Sequence, residues 1–265
     1  MDTIALYFRF AGLCVRSKLQ YRASFFLLTA GQFFALILEF LAIWALFHRF
    51  GNLKGWSLAE IALFYGVTHG SFAVAEILGR GFDTFSDMVK SGDFDRFLLR
   101  PRSTTLQVAG REFDGRIGRL LQSIAVFSWG LHALPIAWTT AKALVVTAMF
   151  VGATCLFYGL FVLQATMCFW TIESLEIMNA VTYGGTETGQ YPLTIYRPWF
   201  RSIFTFIVPL ACVNYLPAGL VFSRGTVAMS TAPILALCPF AGVAFLLFSL
   251  FCWRCGVRRY CSTGS

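Results

Sequence analysis

Charge is scarce in this chain: only 13% of its 265 residues are Asp, Glu, Lys or Arg, about half the share usual in soluble domains. A water-soluble globular fold is thereby excluded, because too few charged side chains remain to solvate its surface. Lysine is scarcer still. Lys18, Lys54, Lys90 and Lys142 follow Ser, Leu, Val and Ala, so the chain lacks the Gly-Lys pair with which a P-loop cradles phosphate. The chain is therefore expected to hydrolyse no ATP; it is read as not an enzyme and as holding no cofactor. None of the three histidines lies near Cys252-Trp253-Arg254-Cys255 or Cys261, so that C-x-x-C spacing is read as apolar packing, and no metal site is expected. Internal repeats, low-complexity tracts and long linkers are also missing, which makes residues 1–265 one domain. No small-residue cleavage site follows a short apolar core near the N-terminus, so no removed signal peptide is expected.

Apolar residues fill the space that charge leaves. With 57% hydrophobic and 17% aromatic residues and a mean hydropathy of +0.68, the chain is expected to be an integral membrane protein. Its net charge of +8 comes from basic residues beside apolar stretches, which suits anionic lipid headgroups rather than nucleic acid. From Thr3 to Gln20 a narrow stripe of Arg9, Arg16 and Gln20 against an otherwise apolar surface predicts a helix lying in the membrane interface. Trp44, Trp56, Trp138, Trp199 and Trp253 fall near span ends, as an aromatic belt requires.

About 20 apolar residues are needed to cross the hydrocarbon core, and hydropathy gives spans at 24–47, 58–78, 120–138 and 143–163. Ser57-Leu58-Ala59-Glu60 has the spacing of a capping box at the start of the second, and Pro135 breaks the third late. Beyond Gln164 two arrangements are open. In one, 165–183 is a fifth span despite Glu173 and Glu176, and 203–222 is a re-entrant hairpin on the outer side. In the other, 203–222 crosses and 173–201 is cytoplasmic. Both end with a span at 233–253 and both termini cytoplasmic. The first puts 15 of the 21 Lys and Arg inside and six outside, and the second 17 and four, so both obey the positive-inside rule. Pro209 and Pro217 interrupt 203–222 and leave halves of about 10 Å, which favours the hairpin.

Ionisable residues within spans are costly and mark function by default. Glu39, His69, Glu76, Glu173 and Glu176 are of this kind. Glu173 and Glu176, three apart, share a helix face, as part of a pathway for cationic or polar cargo or as polar glue between helices. Pro209 and Asn214 are candidates for an outer gate.

Between the second and third spans lies the one long polar stretch, 80–119, with eight Lys or Arg and six Asp or Glu. Asp83 can cap a short helix with Phe82, Phe85, Met88 and Val89 on one face, Ser91-Gly92 can end it, and a second turn, Asp93 to Arg100, stops at Pro101. The run Lys90-Ser91-Gly92-Asp93-Phe94-Asp95-Arg96-Phe97-Leu98-Leu99-Arg100-Pro101, with Tyr191-Pro192-Leu193-Thr194-Ile195-Tyr196, Pro209 and Val213-Asn214-Tyr215-Leu216-Pro217-Ala218, resembles type-2 ATP-binding-cassette (ABC) export permeases. The likeness covers nearly the whole chain in order and spacing.

That resemblance implies an all-α integral membrane protein of six transmembrane helices. It would have an N-terminal interfacial helix, a cytoplasmic coupling helix between spans 2 and 3, and an outer re-entrant hairpin before span 6. It further implies a permease subunit in a bacterial-type inner (plasma) membrane. Its partners would be two copies of a separate ATP-binding subunit and a second permease, identical or homologous. The coupling role falls on Asp83, Phe85, Met88, Gly92, Asp93, Phe94, Asp95, Arg96, Phe97 and Arg100, with Phe85, Met88, Phe94 and Phe97 expected to pack against the ATPase. The alternative is a stand-alone secondary transporter or channel; a membrane-bound enzyme comes third, because no nucleophile, base and acid recur at a plausible spacing.

Overall fold

The structure is a computed structural model that describes residues 3–112, 116–171, 176–222 and 232–261. Among these residues it is helical, without strands. Helix α1 (Thr3–Leu19) leads by a turn into α2 (Arg22–Phe50), and α3 (Leu58–Asp83) follows a tight loop. Ser57 starts α3 as its sequence predicts: its Oγ accepts from the Glu60 N–H at 3.4 Å, and its own N–H donates to Glu60 Oε2 at 2.8 Å. This reciprocal capping satisfies two of the donors that a helix start leaves open.

Helix α3 is the central element. Its apolar window is 83% buried, whereas that of α2 is only 11% buried. The reason lies in the neighbours: α3 packs along both α7 (Ile117–Ala133) and α8 (Thr140–Thr171), while α2 leans mainly on α7. Beyond α3, the polar stretch folds into three short helices, α4 (Phe85–Lys90), α5 (Asp93–Leu98) and α6 (Thr104–Ala109). Asp83 does not cap α4. It closes α3, and Thr84 occupies the cap without a side-chain hydrogen bond. Gly92, with φ +70°, supplies the left-handed residue between α4 and α5.

Several span boundaries move. The third span ends at Ala133, short of 138, because Pro135 forces Leu134 into extended backbone (φ −76°, ψ 122°). The boundary expected between 163 and 165 falls inside a single helix, since α8 continues to Thr171. At 1.5 Å per residue its 32 residues cover about 48 Å, and nothing between Leu163 and Ala165 removes a backbone donor. The chain then returns as α9 (Glu176–Gly189), antiparallel to α3: Tyr183 meets Asp83, and Gly189 meets Thr68. Its 14 residues reach only about 21 Å, less than the ~30 Å of a hydrocarbon core. The last span starts late as well, for Pro239 separates α12 (Ala232–Leu237) from α13 (Phe240–Arg259).

Between α9 and α12 the chain bends sharply. Helix α10 (Pro198–Ser202) and a π-helical turn, Ile203–Ile207, form one arm; a second π turn, Ala211–Tyr215, and α11 (Leu216–Phe222) form the other, at 86°. Val208, extended at ψ 105° ahead of Pro209, makes the corner. Both ends of the bent segment sit beside the 51–57 loop. Lys54 donates to the carbonyls of Thr194 and Ile195, and Trp56 packs edge-on to Phe222. Among the described residues four helices are long and apolar enough to cross a membrane, five if the bent pair counts as one; α7, at 17 residues, falls just short in length.

Helices α8 and α13 approach each other closely. A methyl added at Gly242 would lie 1.9 Å from the Gly152 carbonyl oxygen, and one at Gly152 would lie 2.3 Å from that of Pro239. Gly242→Ala and Gly152→Ala should each cost about 1–3 kcal/mol by overpacking, read as a lower melting temperature of the detergent-solubilised protein. Gly184→Ala, with open space around it, should leave that temperature unchanged or slightly raised; an equal drop would exclude the close-approach explanation.

Candidate functional site

The three short helices after α3 form a platform, and its aromatic residues point inward. Phe85, Met88 and Phe94 have no exposed surface, so they cannot meet a partner as their sequence suggests. They are occupied by the chain itself: Phe85 lies 5.0 Å from both Phe94 and Trp253 of α13, and Phe94 lies 5.6 Å from Phe169 of α8. Trp253 Nε1 donates to Thr104 Oγ1 at 3.3 Å, and Phe94 stacks edge-on to Tyr260 at 5.1 Å. Burial pushes the Tyr260 phenol up to about 12, with the Asp95 carboxylate adding to the shift. Such edge-to-face contacts add about 0.5–1.5 kcal/mol each to simple burial.

What the platform presents outward is different. Leu99 is 85% exposed, Leu98 less so, and the cations Arg96, Arg100 and Arg102 surround them. Phe97 is half-buried, with the Arg100 guanidinium 5.3 Å above its ring. The tip is rigidly held. Gln107 Nε2 donates to the carbonyls of Phe97 and Arg102 at 3.3 and 3.2 Å, and Asp93 pairs with Arg96 and Arg111.

Directly behind the platform lies a buried ionic network. Glu76 of α3 is fully buried and pairs with Arg80 at 3.3 Å and Arg116 at 3.2 Å. Asp83 also takes Arg80, and it accepts from Tyr183 Oη at 3.0 Å and Gln164 Nε2 at 3.2 Å. Gln164 in turn donates to Asn179 at 2.8 Å. Asp83 thus faces the interior and ties the platform's root to α8 and α9.

Further along α3 a polar seam crosses the bundle. His69 stacks on Tyr65 at 4.0 Å, and its Nε2 faces Gln190 Oε1 at 3.3 Å. Gln190 Nε2 donates to Glu187 at 2.9 Å, and Gln122 Nε2 donates to Tyr65 Oη at 3.3 Å. Asn214 is 3% exposed; its Nδ2 reaches Thr68 Oγ1 at 2.9 Å and the Gly189 carbonyl at 2.7 Å. Asn214 therefore clasps the bent segment to α3 and α9, while Pro209 sits at the corner itself. Glu176 is exposed in the first turn of α9, and Glu173 lies outside the described residues. Glu187, Gln190 and Tyr183 escape a sequence reading because they sit at a helix end or among small residues, and Gln164 because it is one uncharged side chain inside the apolar run of α8. The one available signal was the Thr186-Glu187-Thr188-Gly189-Gln190 run, polar inside an apolar context.

A family model described as "ABC-2 family transporter protein" matches residues 33–264. No curated protein and no solved structure matches the chain.

The platform and the network have separable energetics. Phe94→Ala opens a cavity and should cost about 3–5 kcal/mol, whereas Leu99→Ala should stay within about 0.5 kcal/mol. Glu76→Gln removes a charged acceptor from the partly exposed Arg80 and Arg116, while Arg80 keeps Asp83, and should cost about 1–3 kcal/mol. Thermal melts of the purified variants check all three, and a Glu76→Gln protein as stable as its parent would remove the network from any structural role.

Proposed function

From the premise that this chain belongs to the ABC-2 transporter family, we propose that it is the membrane-spanning permease subunit of an ATP-driven exporter. It forms the translocation pathway in a bacterial-type inner membrane with both termini cytoplasmic. ATP is hydrolysed by two copies of a separate nucleotide-binding subunit, and a second permease, identical or homologous, completes the pathway. The permease itself holds no cofactor.

The observation that carries this reading is the platform's construction. An apolar tip of Leu98 and Leu99, ringed by Arg96, Arg100 and Arg102, stands on a base held by Trp253, Phe169 and Phe94. Exposed leucines on a stiff base suit insertion into a groove on a partner, and the guanidinium groups suit an acidic rim. Behind the tip, Asp83 and Glu76 link the platform to α3, α7, α8 and α9. A push on the tip is therefore transmitted to those helices together, as an alternating-access mechanism requires. The scant burial of α2 leaves it the face on which a second permease would pack.

The bent segment supports the hairpin over a full crossing, since its two ends lie beside Lys54 and Trp56 at the same end of the bundle. In this reading 198–222 dips into the outer leaflet and leaves again, and Asn214 pins it to the pathway-lining helices.

Leu98→Asp/Leu99→Asp should insert and fold normally yet lose co-purification with a co-expressed ATP-binding subunit, and export with it. Retained association in the double variant would place the docking surface elsewhere. The chain purified alone should show no ATPase activity above a vector-control preparation. For the hairpin, single cysteines at Asn52 and Trp199, in a background stripped of native cysteines, should both react with an impermeant thiol reagent added outside; reaction at Asn52 alone would establish a crossing.

A further inference from the structure

Helix α1 lies against α6, and two recesses open along that contact. One is charged. Cys14 of α1 and Gln107 of α6 wall a cavity of about 270 Å³ together with Phe97, Arg100, Arg102 and Arg111. No acidic side chain lines it among the described residues. Asp93 reaches Arg111 at 3.5 Å from outside the cavity, and it is shared with Arg96 at 3.6 Å.

The other recess is apolar. Tyr7 of α1 and Leu106 and Ala109 of α6 wall a groove of about 300 Å³ that continues over Leu78, Tyr158 and Leu246. Hydroxyls in its wall are turned to the backbone: Tyr7 Oη donates to the Leu78 carbonyl at 3.1 Å, and Thr154 Oγ1 to that of Phe150 at 2.8 Å.

The two recesses share a wall and differ in depth. On α6, Leu106 faces the groove and its neighbour Gln107 the cavity; Ala109 and Gly110 are divided in the same way. On α1, Tyr7 and Cys14 are seven residues apart, about 10 Å. The cavity lies on the platform itself. The groove lies deeper in the bundle, since Leu246 precedes the platform contact of Trp253 by seven residues of α13, again about 10 Å.

That arrangement selects the ligand. Guanidinium groups hold phosphate by charge-assisted, often bidentate hydrogen bonds, and an apolar groove at bilayer depth holds hydrocarbon. A soluble anion would leave the groove unfilled, and an acidic peptide has no hydrocarbon chain to lay along it. An anionic lipid joins both ends in one molecule, and α1 lies where its headgroup would sit.

We propose that α1 and α6 hold one anionic glycerophospholipid, with its phosphate on Arg100, Arg102 and Arg111 and an acyl chain along Tyr7, Tyr158 and Leu246. The site depends on the permease reading only for its side of the membrane, the cytoplasmic leaflet. Arg96 and the Leu98–Leu99 tip line neither recess, so they remain available to the ATP-binding subunit. A guanidinium also carries five N–H donors, enough for Arg100 and Arg102 to hold a phosphate on one edge and meet an acidic rim on the other.

The site is testable without the ATPase. The full chain, stripped of lipid in a non-ionic detergent, is titrated with phosphatidylglycerol and with phosphatidylcholine of the same acyl chains, and bound lipid is counted by native mass spectrometry. One phosphatidylglycerol is expected to bind about tenfold more tightly than phosphatidylcholine, and water-soluble glycerol phosphate should not displace it. Arg100→Gln should weaken phosphatidylglycerol binding about fivefold. Leu246→Trp should weaken binding of both lipids by obstructing the groove. Arg96→Gln, which removes the same charge outside the cavity, should bind as the parent does. Arg100 is exposed, so its variant keeps the fold. Equal affinity for the two lipids, or equal losses in Arg100→Gln and Arg96→Gln, overturns the site in favour of a diffuse charge effect. Displacement by glycerol phosphate, or unchanged binding by Leu246→Trp, overturns the acyl-chain groove and with it the lipid. If Arg100→Gln loses only co-purification with the ATP-binding subunit and binds lipid normally, the arginines belong to that subunit and the proposal falls. Lipid binding and ATPase association are measured separately, so either reading can fail while the other stands.

Discussion

Glu76 is the constraint from which the rest of the architecture follows. A carboxylate with no exposed surface, seated in the most buried helix of an apolar protein, persists only with cations at hydrogen-bonding distance. Arg80 supplies one from the same helix; Arg116 must come from the start of α7, which brings the far end of the polar stretch back against α3. That return places the whole stretch between them, α4 to α6, beneath the bundle. Arg119, one turn on, lies 4.9 Å above the Phe72 ring and carries positive charge up the same face towards the polar seam.

The platform obeys the complementary rule. A short polar segment cannot order itself by hydrogen bonding alone, because three six-residue helices are each well below the length at which isolated helices persist. Aromatic packing supplies what is missing. Phe85, Met88 and Phe94 share one cluster with Trp253 of α13 and with Phe169 of α8, so the platform is welded to two helices that pack along each other. Burying these apolar groups is also what pushes Leu98, Leu99 and the arginines outward. One face is consumed by the fold and the other is left for a partner.

At the opposite end the governing fact is the backbone. Pro209 breaks the bent segment where extended Val208 turns the chain, and a break within a membrane needs polar partners nearby. Beyond the break, Asn214 ties the segment to its neighbours by donating to Thr68 and to the Gly189 carbonyl at the end of α9. The clasp and the Gln190 contacts with His69 and Glu187 lie within a few residues of one another on α3 and at the end of α9. Motion transmitted through Asp83 to Tyr183, midway along α9, therefore reaches the polar seam at the end of that helix.

Composition and local pattern alone determined that the chain is helical and membrane-embedded, that α3 begins at a capping box at Ser57, that Pro135 and Pro209 interrupt helices, and that 80–119 is set apart as a polar unit. These are properties of neighbouring residues: hydropathy over about 20 positions, a side chain three residues from its cap, a missing N–H. The family resemblance was likewise legible in short runs such as Asp93 to Pro101. Which face of each short helix turns inward was not legible, because Phe94 and Leu99 are equally apolar and only Trp253 and Phe169, more than 70 residues away, distinguish them. The continuity of α8 past Leu163, the inward turn of Asp83 and the meeting of Asn214 with Thr68 were decided only by tertiary structure. Each depends on a partner that sequence distance hides, and burial makes such partners obligatory for charge and indifferent for hydrocarbon.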